Sequence, residues 1–303
     1  MLMTSVERYI ALRRKLGYGL LQTDRLLKAY AQFAKCQGDT HVRVSTAVAW
    51  ATAASTPGTR YVRLNAVVLL ARFLHAEDAG HEVPPSRLFP PPQGRLMPYI
   101  YSADELSRIV AAAAKLPRTY ALRRATYATL FVLIASTGLR ISEALNIRLS
   151  DVQPDGVLLI RRGKGGKSRL IPLHSTVVVA LNDYLASRLN FPTLDDHLFV
   201  SARTRGISRS MANYTFRRLA LHAGITQTGT RPCRIHDLRH TFATRSLEKC
   251  PTRREDVAAH FVALATYLGH VDITHTYWYL EATPELMTDI AASAEALVGK
   301  EVA

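Results

Sequence analysis

Through most of the chain, apolar residues recur at spacings of three and four, the mark of helices with one buried face. In the first quarter SVERYIALRRKLG, TDRLLKAYAQFAK, RVSTAVAWATAAS and TRYVRLNAVVLLARFLHAE all carry this pattern, with turns expected at Gly38-Asp39 and Pro57-Gly58. They predict a small all-α bundle. The pattern stops in HEVPPSRLFPPPQGRLM, residues 81–97, whose five prolines cannot continue a helix and favour extended chain. Beyond it, Ser102 followed by Glu105 has the spacing of a capping box that opens a helix over DELSRIVAAAAKL. ALRRATYATLFVLIASTG then reads as a long, mostly apolar helix ending at Gly138, with a second helix in ISEALNI directly behind it. In VLLIRRGKGGKSRLIPL the period changes: two β-type runs flank a glycine-rich tip, which predicts a hairpin. From STVVVALNDYLASRL onward the helical spacing returns. The fold class is therefore mainly α. A helical N-terminal domain (residues 1–85) leads through a Pro-rich linker (86–98) into a mostly α domain (99–303) with one small antiparallel β-sheet.

The 303 residues are 48% hydrophobic and 21% charged, which places the chain among globular rather than disordered proteins. No apolar run is long enough for a membrane span, and no signal-peptide pattern opens the sequence. Cys36, Cys233 and Cys250 are odd in number and far apart, so neither a disulfide framework nor a zinc site is expected. Free thiols suit a reducing cytoplasm.

Charge changes the picture more. Lys and Arg total 39 against 24 Asp and Glu, a net charge of +15. Residues 1–98 hold 13 basic and 6 acidic residues, and the remainder 26 and 18, so both domains are basic. Such a field draws polyanions, which makes nucleic acid the expected partner.

Within the second domain, strong polar groups sit beside buried-looking runs: Arg140 in TGLRISE, Lys164 at the hairpin tip, His236 and Arg239 in HDLRHTFAT, and His270 in YLGH. Tyr277 and Tyr279 flank Trp278 shortly after. Transfer at a DNA phosphodiester builds negative charge on the non-bridging oxygens. The carboxylate set of a two-metal site is not apparent, and two arginines can neutralise that charge with fixed, bidentate donors. A tyrosine can attack phosphorus and hold the strand as an ester, provided nearby cations favour a phenolate whose ordinary pKa is about 10. A lysine can protonate the leaving oxygen, and imidazoles can orient or exchange protons nearby. On residue type alone Tyr277 and Tyr279 are alternatives, as are Lys164 and Lys167.

In their order, these segments resemble the boxes of the tyrosine recombinase (phage integrase) family. TGLRISE is similar to its first-arginine box, GKGGKSRLIPL to its hairpin-lysine box, HDLRHTFAT to its His-x-x-Arg box, and LGHVDITHTYWY to its last box. The resemblance covers roughly residues 99–290. In the family the nucleophile lies nine residues after the histidine of the last box, which here is Tyr279. The resemblance implies that Arg140 and Arg239 clamp the scissile phosphate. It makes Lys164 the general acid and has His236 assist proton transfer. It implies that His270 hydrogen-bonds the phosphate and that Tyr279 forms a 3′-phosphotyrosyl bond. It also implies a core-binding (SAM-like) N-terminal domain, no metal or other cofactor, and two strand exchanges through a Holliday junction in a tetramer on DNA. Arg13, Arg14, Lys15, Arg60 and Arg63 of the first domain are expected to touch DNA, as are Arg161, Arg162, Lys167 and Arg169 around the hairpin.

Other residues have plainer readings. His240, four after His236, is expected to be a buried support for the site, because Asp237 stands where a zinc-binding HExxH motif needs glutamate. Glu143 is expected to fix the geometry around Arg140. The stretch between Arg239 and His270 is longer than the family pattern, and EKCPTRREDVAAHF is expected to be a surface insertion between helices. Among roles, the integrase or transposase of a mobile element is preferred. A non-catalytic DNA-binding accessory protein, a type IB topoisomerase and a metal-dependent nuclease are the competing classes.

Overall fold

The structure, a computed structural model, describes residues 2–91, 97–117, 122–161, 168–193, 195–225, 233–249 and 254–269. The chain divides into two compact units, Met1–Leu96 and Met97–Ala303. The expected mainly α fold with one small antiparallel sheet is what the described residues form.

The first unit holds α1 (Leu2–Lys15), α2 (Leu21–Cys36), α3 (Val44–Thr52) and α4 (Pro57–His75). Their apolar faces close on one core containing Val6, Ile10, Leu27, Tyr30, Trp50, Val67 and Leu70. Tyr30 and Trp50 meet there with ring centroids 5.5 Å apart. Pro57-Gly58 is not a turn but the start of α4. Thr56 caps that helix by accepting from the Thr59 N–H at 3.2 Å, and Pro57 fills the first helical position, where a missing N–H costs nothing. The Pro-rich stretch also begins inside this unit. His81 is buried and accepts from the Val42 N–H at 3.0 Å, while Glu82 accepts from the Val44 N–H at 2.7 Å.

The second unit is built on α6 (Arg123–Thr137), which carries Leu130, Phe131, Leu133 and Ile134 fully buried. A helix apolar on most of its surface belongs in the middle of a domain. It is covered by α5 (Ala103–Ala114), α8 (Ser175–Leu189) and α10 (Ile235–Glu248). The capping box at the start of α5 is formed, with Ser102 accepting from Glu105 N–H at 3.1 Å and Glu105 from Ser102 N–H at 2.8 Å. Strands β1 (Val157–Ile160) and β2 (Arg169–Pro172) pair antiparallel with Ile160 opposite Arg169, and the hairpin tip lies outside the described residues. The described residues of this unit also form the short α7 (Ile141–Leu145), α9 (Arg209–His222) and α11 (Arg254–Leu268). Much of the stretch expected to be a surface insertion is the first half of α11. Phe261 is buried with Leu264 and Leu268 against Ala243 and Leu247 of α10, and His260 bonds the Ser246 carbonyl at 2.8 Å. Apolar residues at three- and four-residue spacing carried that signal beneath the charge cluster.

Gly138 ends α6 in the left-handed region, φ 62°, and its N–H bonds the Ile134 carbonyl at 2.9 Å. A Cβ there would stand 2.5 Å from Phe242 and 2.8 Å from Leu268. Gly138→Ala is expected to cost about 1–2 kcal/mol in backbone strain and a further ~1–3 kcal/mol in overpacking. Urea denaturation of the full chain measures it, and an unchanged midpoint would contradict the assignment.

Candidate active site

Four helix termini build the site, the ends of α6 and α11 and the starts of α7 and α10. Arg140 precedes α7, and the Glu143 carboxylate reaches back to accept its backbone N–H at 3.1 Å (Oε2) and its Nη1 at 2.8 Å (Oε1). The same guanidinium donates to carbonyls at the C-terminus of α11, Nη2 to Gly269 at 3.1 Å and Nη1 to Leu268 at 3.4 Å. From α10 comes Arg239, 1% exposed, donating Nη1 to the Gly138 carbonyl at 2.6 Å and Nη2 to the Leu268 carbonyl at 2.9 Å. Two guanidinium groups 99 residues apart in sequence thus aim donors at one oxygen. The C-terminal carbonyls of a helix carry partial negative charge, so they are good partners for such cations.

Glu143 is held from a second side. Arg169 donates Nη2 to Oε2 at 2.8 Å and Nη1 to Oε1 at 3.2 Å, and its Nε bonds the Tyr267 carbonyl at 2.8 Å. Each carboxylate oxygen therefore accepts two hydrogen bonds, filling its acceptor sites. Burial alone would raise the carboxyl's pKa. The hydrogen bonds and charge of Arg169, then those of Arg140, outweigh it and hold the value at about 2.

The structure mostly buries Arg169, which the sequence reading expects to touch DNA: its side chain is 13% exposed and its fork is spent on Glu143. The signal was in the strand period. Arg169 faces Ile160 across the ladder and shares a side with Ile171, both buried, so alternation points its side chain inward. Arg161 pairs with the buried carboxylate of Asp151, although its side chain is 56% exposed.

His236 and Arg239 lie one turn apart near the start of α10, whose first turn is fixed by Asp237 accepting the Arg234 N–H at 2.9 Å. The His236 residue keeps an open side to solvent. Crowding by protein, then the charges of Arg239 and Arg234, nevertheless push its pKa down to about 4, so the imidazole is neutral at neutral pH. His240 is buried and sits edge-on to His236, ring centroids 4.6 Å apart. Arg162, Lys164, Lys167, His270, Tyr277, Trp278 and Tyr279 lie outside the described residues.

In the first unit, Lys15 is exposed. Arg14 pairs with Asp24 at 2.7 Å, and Arg13 stacks on Tyr18 at 4.1 Å. Arg60 bonds the Ala54 carbonyl at 2.9 Å, and Arg63 lies over Trp50 at 5.0 Å. Among the described residues, His41–Asp78–His81 and Asp195–Asp196–His197 have side chains close enough to share an ion, and neither group includes a residue of the arginine cluster.

The phage integrase family model matches residues 100–285, spanning α5 to beyond α11. The chain is a tyrosine recombinase of the phage integrase family. The recombinase is 37% identical over 295 residues to the putative integrase/recombinase y4rB of Sinorhizobium fredii (strain NBRC 101917 / NGR234), covering 94% of each chain. It is 32% identical over 251 residues to the tyrosine recombinase XerD of Caulobacter vibrioides (strain ATCC 19089 / CIP 103742 / CB 15), covering 81% of this chain and 78% of that one. Its fold is similar to that of the XerH site-specific recombinase, solved with its palindromic difH substrate as a post-cleavage complex. The TM-score is 0.65 at 20% identity, over 91% of this chain and 80% of that one. No helix among the described residues of the recombinase is long and apolar enough to cross a membrane.

Two outcomes are expected from this geometry. Glu143→Gln leaves two largely buried arginines facing a neutral amide and is expected to destabilise the fold by about 3–5 kcal/mol, as breaking a buried pair does. Because the Glu143 pKa is depressed from 4.5 to about 2, the carboxylate's contribution is full above pH 4.5 and is lost as pH falls toward 2. Denaturation midpoints across that window are expected to fall more for the wild type than for the variant. Separately, the His236 ring, followed by NMR, is expected to titrate near pH 4 in the free protein. Titration at the ordinary histidine value would contradict the assigned environment.

Proposed function

We propose that the recombinase breaks and rejoins double-stranded DNA at specific sites through a 3′-phosphotyrosyl intermediate on Tyr279. The reading rests on the aim of Arg140 and Arg239 at one oxygen, the Leu268 carbonyl. Two fixed guanidinium groups with donors within reach of one point can hold the non-bridging oxygens of a phosphodiester and stabilise their charge as it grows.

The phenolate of Tyr279 attacks phosphorus, the bond to the 5′ oxygen breaks, and Lys164 gives that oxygen a proton. Neutral His236, beside Arg239, accepts or relays a proton near the phosphate, and His270 hydrogen-bonds it. The ester conserves the bond energy. A 5′ hydroxyl from another strand then attacks the same phosphorus and releases Tyr279, without a metal ion or other cofactor. Two such exchanges in sequence proceed through a Holliday junction, in a tetramer of this chain on two DNA sites. The basic residues of residues 1–85, with Arg161, Arg162 and Lys167 of the hairpin, hold the DNA backbone. The integrase or transposase of a mobile element is the preferred role, a preference supported by the likeness to an integrase/recombinase over nearly the whole chain.

The test traps the covalent step. In EDTA, a nicked duplex carrying the element's own end sequence is expected to give a denaturation-resistant DNA adduct with the wild type and with Tyr277→Phe, and none with Tyr279→Phe. An adduct that survives Tyr279→Phe but not Tyr277→Phe would move the nucleophile. Tight binding with no adduct would favour the accessory-protein reading, and strand cleavage without an adduct that requires added divalent metal would favour a metal-dependent nuclease.

A further inference from the structure

Glu143 poses an electrostatic problem for the proposed reaction. A buried carboxylate bonded to Arg140 alone would cancel the charge that Arg140 must present to a phosphate. The second cation removes the conflict. Arg169 covers both oxygens of Glu143, at 2.8 and 3.2 Å, whereas the Arg140 side chain contributes one bond, at 2.8 Å. The three side chains together carry one net positive charge, and the pair Arg140–Glu143 without Arg169 carries none.

Arg169 is also fixed in place. Its Nε is tied to the Tyr267 carbonyl at 2.8 Å, and it faces inward from β2 beside Ile171. Gly269, in the left-handed region at φ 66°, brings its backbone against the guanidinium so closely that a Cβ would stand 2.7 Å from Nη1. The carbonyl of that same glycine accepts from Arg140 at 3.1 Å. Arg169, Gly269, Glu143 and Arg140 therefore form one closed contact set, which Arg140 links to Arg239 through the Leu268 carbonyl.

We propose that Arg169 is a positioning residue for phosphoryl transfer: by neutralising Glu143, it lets that carboxylate orient Arg140 while leaving the cluster a net cation for the scissile phosphate. This rests on the recombinase chemistry proposed above. In this role Arg169 acts through Glu143, on the charge and aim of Arg140.

The experiment is single-turnover adduct formation by full-length wild type, Arg169→Gln and Arg169→Lys on two nicked duplexes. One has the natural diester at the cleavage position. The other has a methylphosphonate there, in which a neutral methyl replaces one charged oxygen. With the diester, Arg169→Gln is expected to slow adduct formation about 10²-fold, in the range lost when a charge-stabilising donor is removed. Arg169→Lys, which keeps the charge but not the fork, is expected to recover most of that rate. With the methylphosphonate, the gap between Arg169→Gln and wild type is expected to close to within about tenfold, since little charge remains to be balanced. DNA affinity and its salt dependence are expected to stay at wild-type values.

Equal slowing on both substrates would overturn the proposal in favour of a purely structural role. Weaker binding with a shallower salt slope would overturn it in favour of a DNA-backbone contact. If the wild type forms no Tyr279-linked adduct on the diester, the recombinase reading fails and takes the proposal with it. An adduct in the wild type with no defect in Arg169→Gln removes the proposal alone.

Discussion

The carboxylate of Glu143, held between Arg140 and Arg169, is the interaction on which the rest of the candidate site depends. It sits at the start of α7, where its return bond to the Arg140 N–H fixes the backbone entering the helix. Its other contacts join that turn to β2 through Arg169 and, through both arginines, to the carbonyls of residues 267–269 at the end of α11. A buried carboxylate with one partner would be a poor structural element, because desolvation offsets most of the attraction. With four hydrogen bonds and two cations it stays ionised far into acid, and segments distant in sequence are locked to one another.

Helix ends supply the remaining acceptors. The Gly138 carbonyl, left outside the helix ladder where α6 turns left-handed, accepts from Arg239, and the Leu268 carbonyl accepts from both Arg239 and Arg140. Glycine is required at 138 and 269 for two reasons at once: φ is positive at both, and a Cβ would collide with Phe242 in one case and with Arg169 in the other. The tight turns bring charged side chains to backbone carbonyls that a helix interior would have consumed.

Much of this was legible in the sequence because local rules agree with the fold. The α5 capping box, the glycine ending α6, the hairpin and the pairing of His236 with Arg239 on one helical face all follow from spacing. Arg140 and Arg239 were legible as a pair only through the family boxes, since no local rule brings together residues 99 positions apart. The charge of Arg169 suggests a surface position, whereas the period-2 pattern it shares with Ile171 turns its side chain inward. Pro57-Gly58 suggests a turn, but proline also suits the first turn of a helix, and α4 starts there. The Asp237 cap on α10 and the partnership of Asp151 with Arg161 are tertiary or terminus-specific facts that composition does not report.

In the proposed reaction Arg140 and Arg239 act on one phosphate as a single clamp. A double-mutant cycle in single-turnover adduct formation tests it most directly, with Arg140→Lys and Arg239→Lys measured alone and together. Groups that work as a unit are non-additive. The account predicts that the double variant is slower than the worse single variant by no more than about tenfold, far short of the product of the two effects. Fully additive losses would mean that the two arginines act independently, and would contradict the clamp.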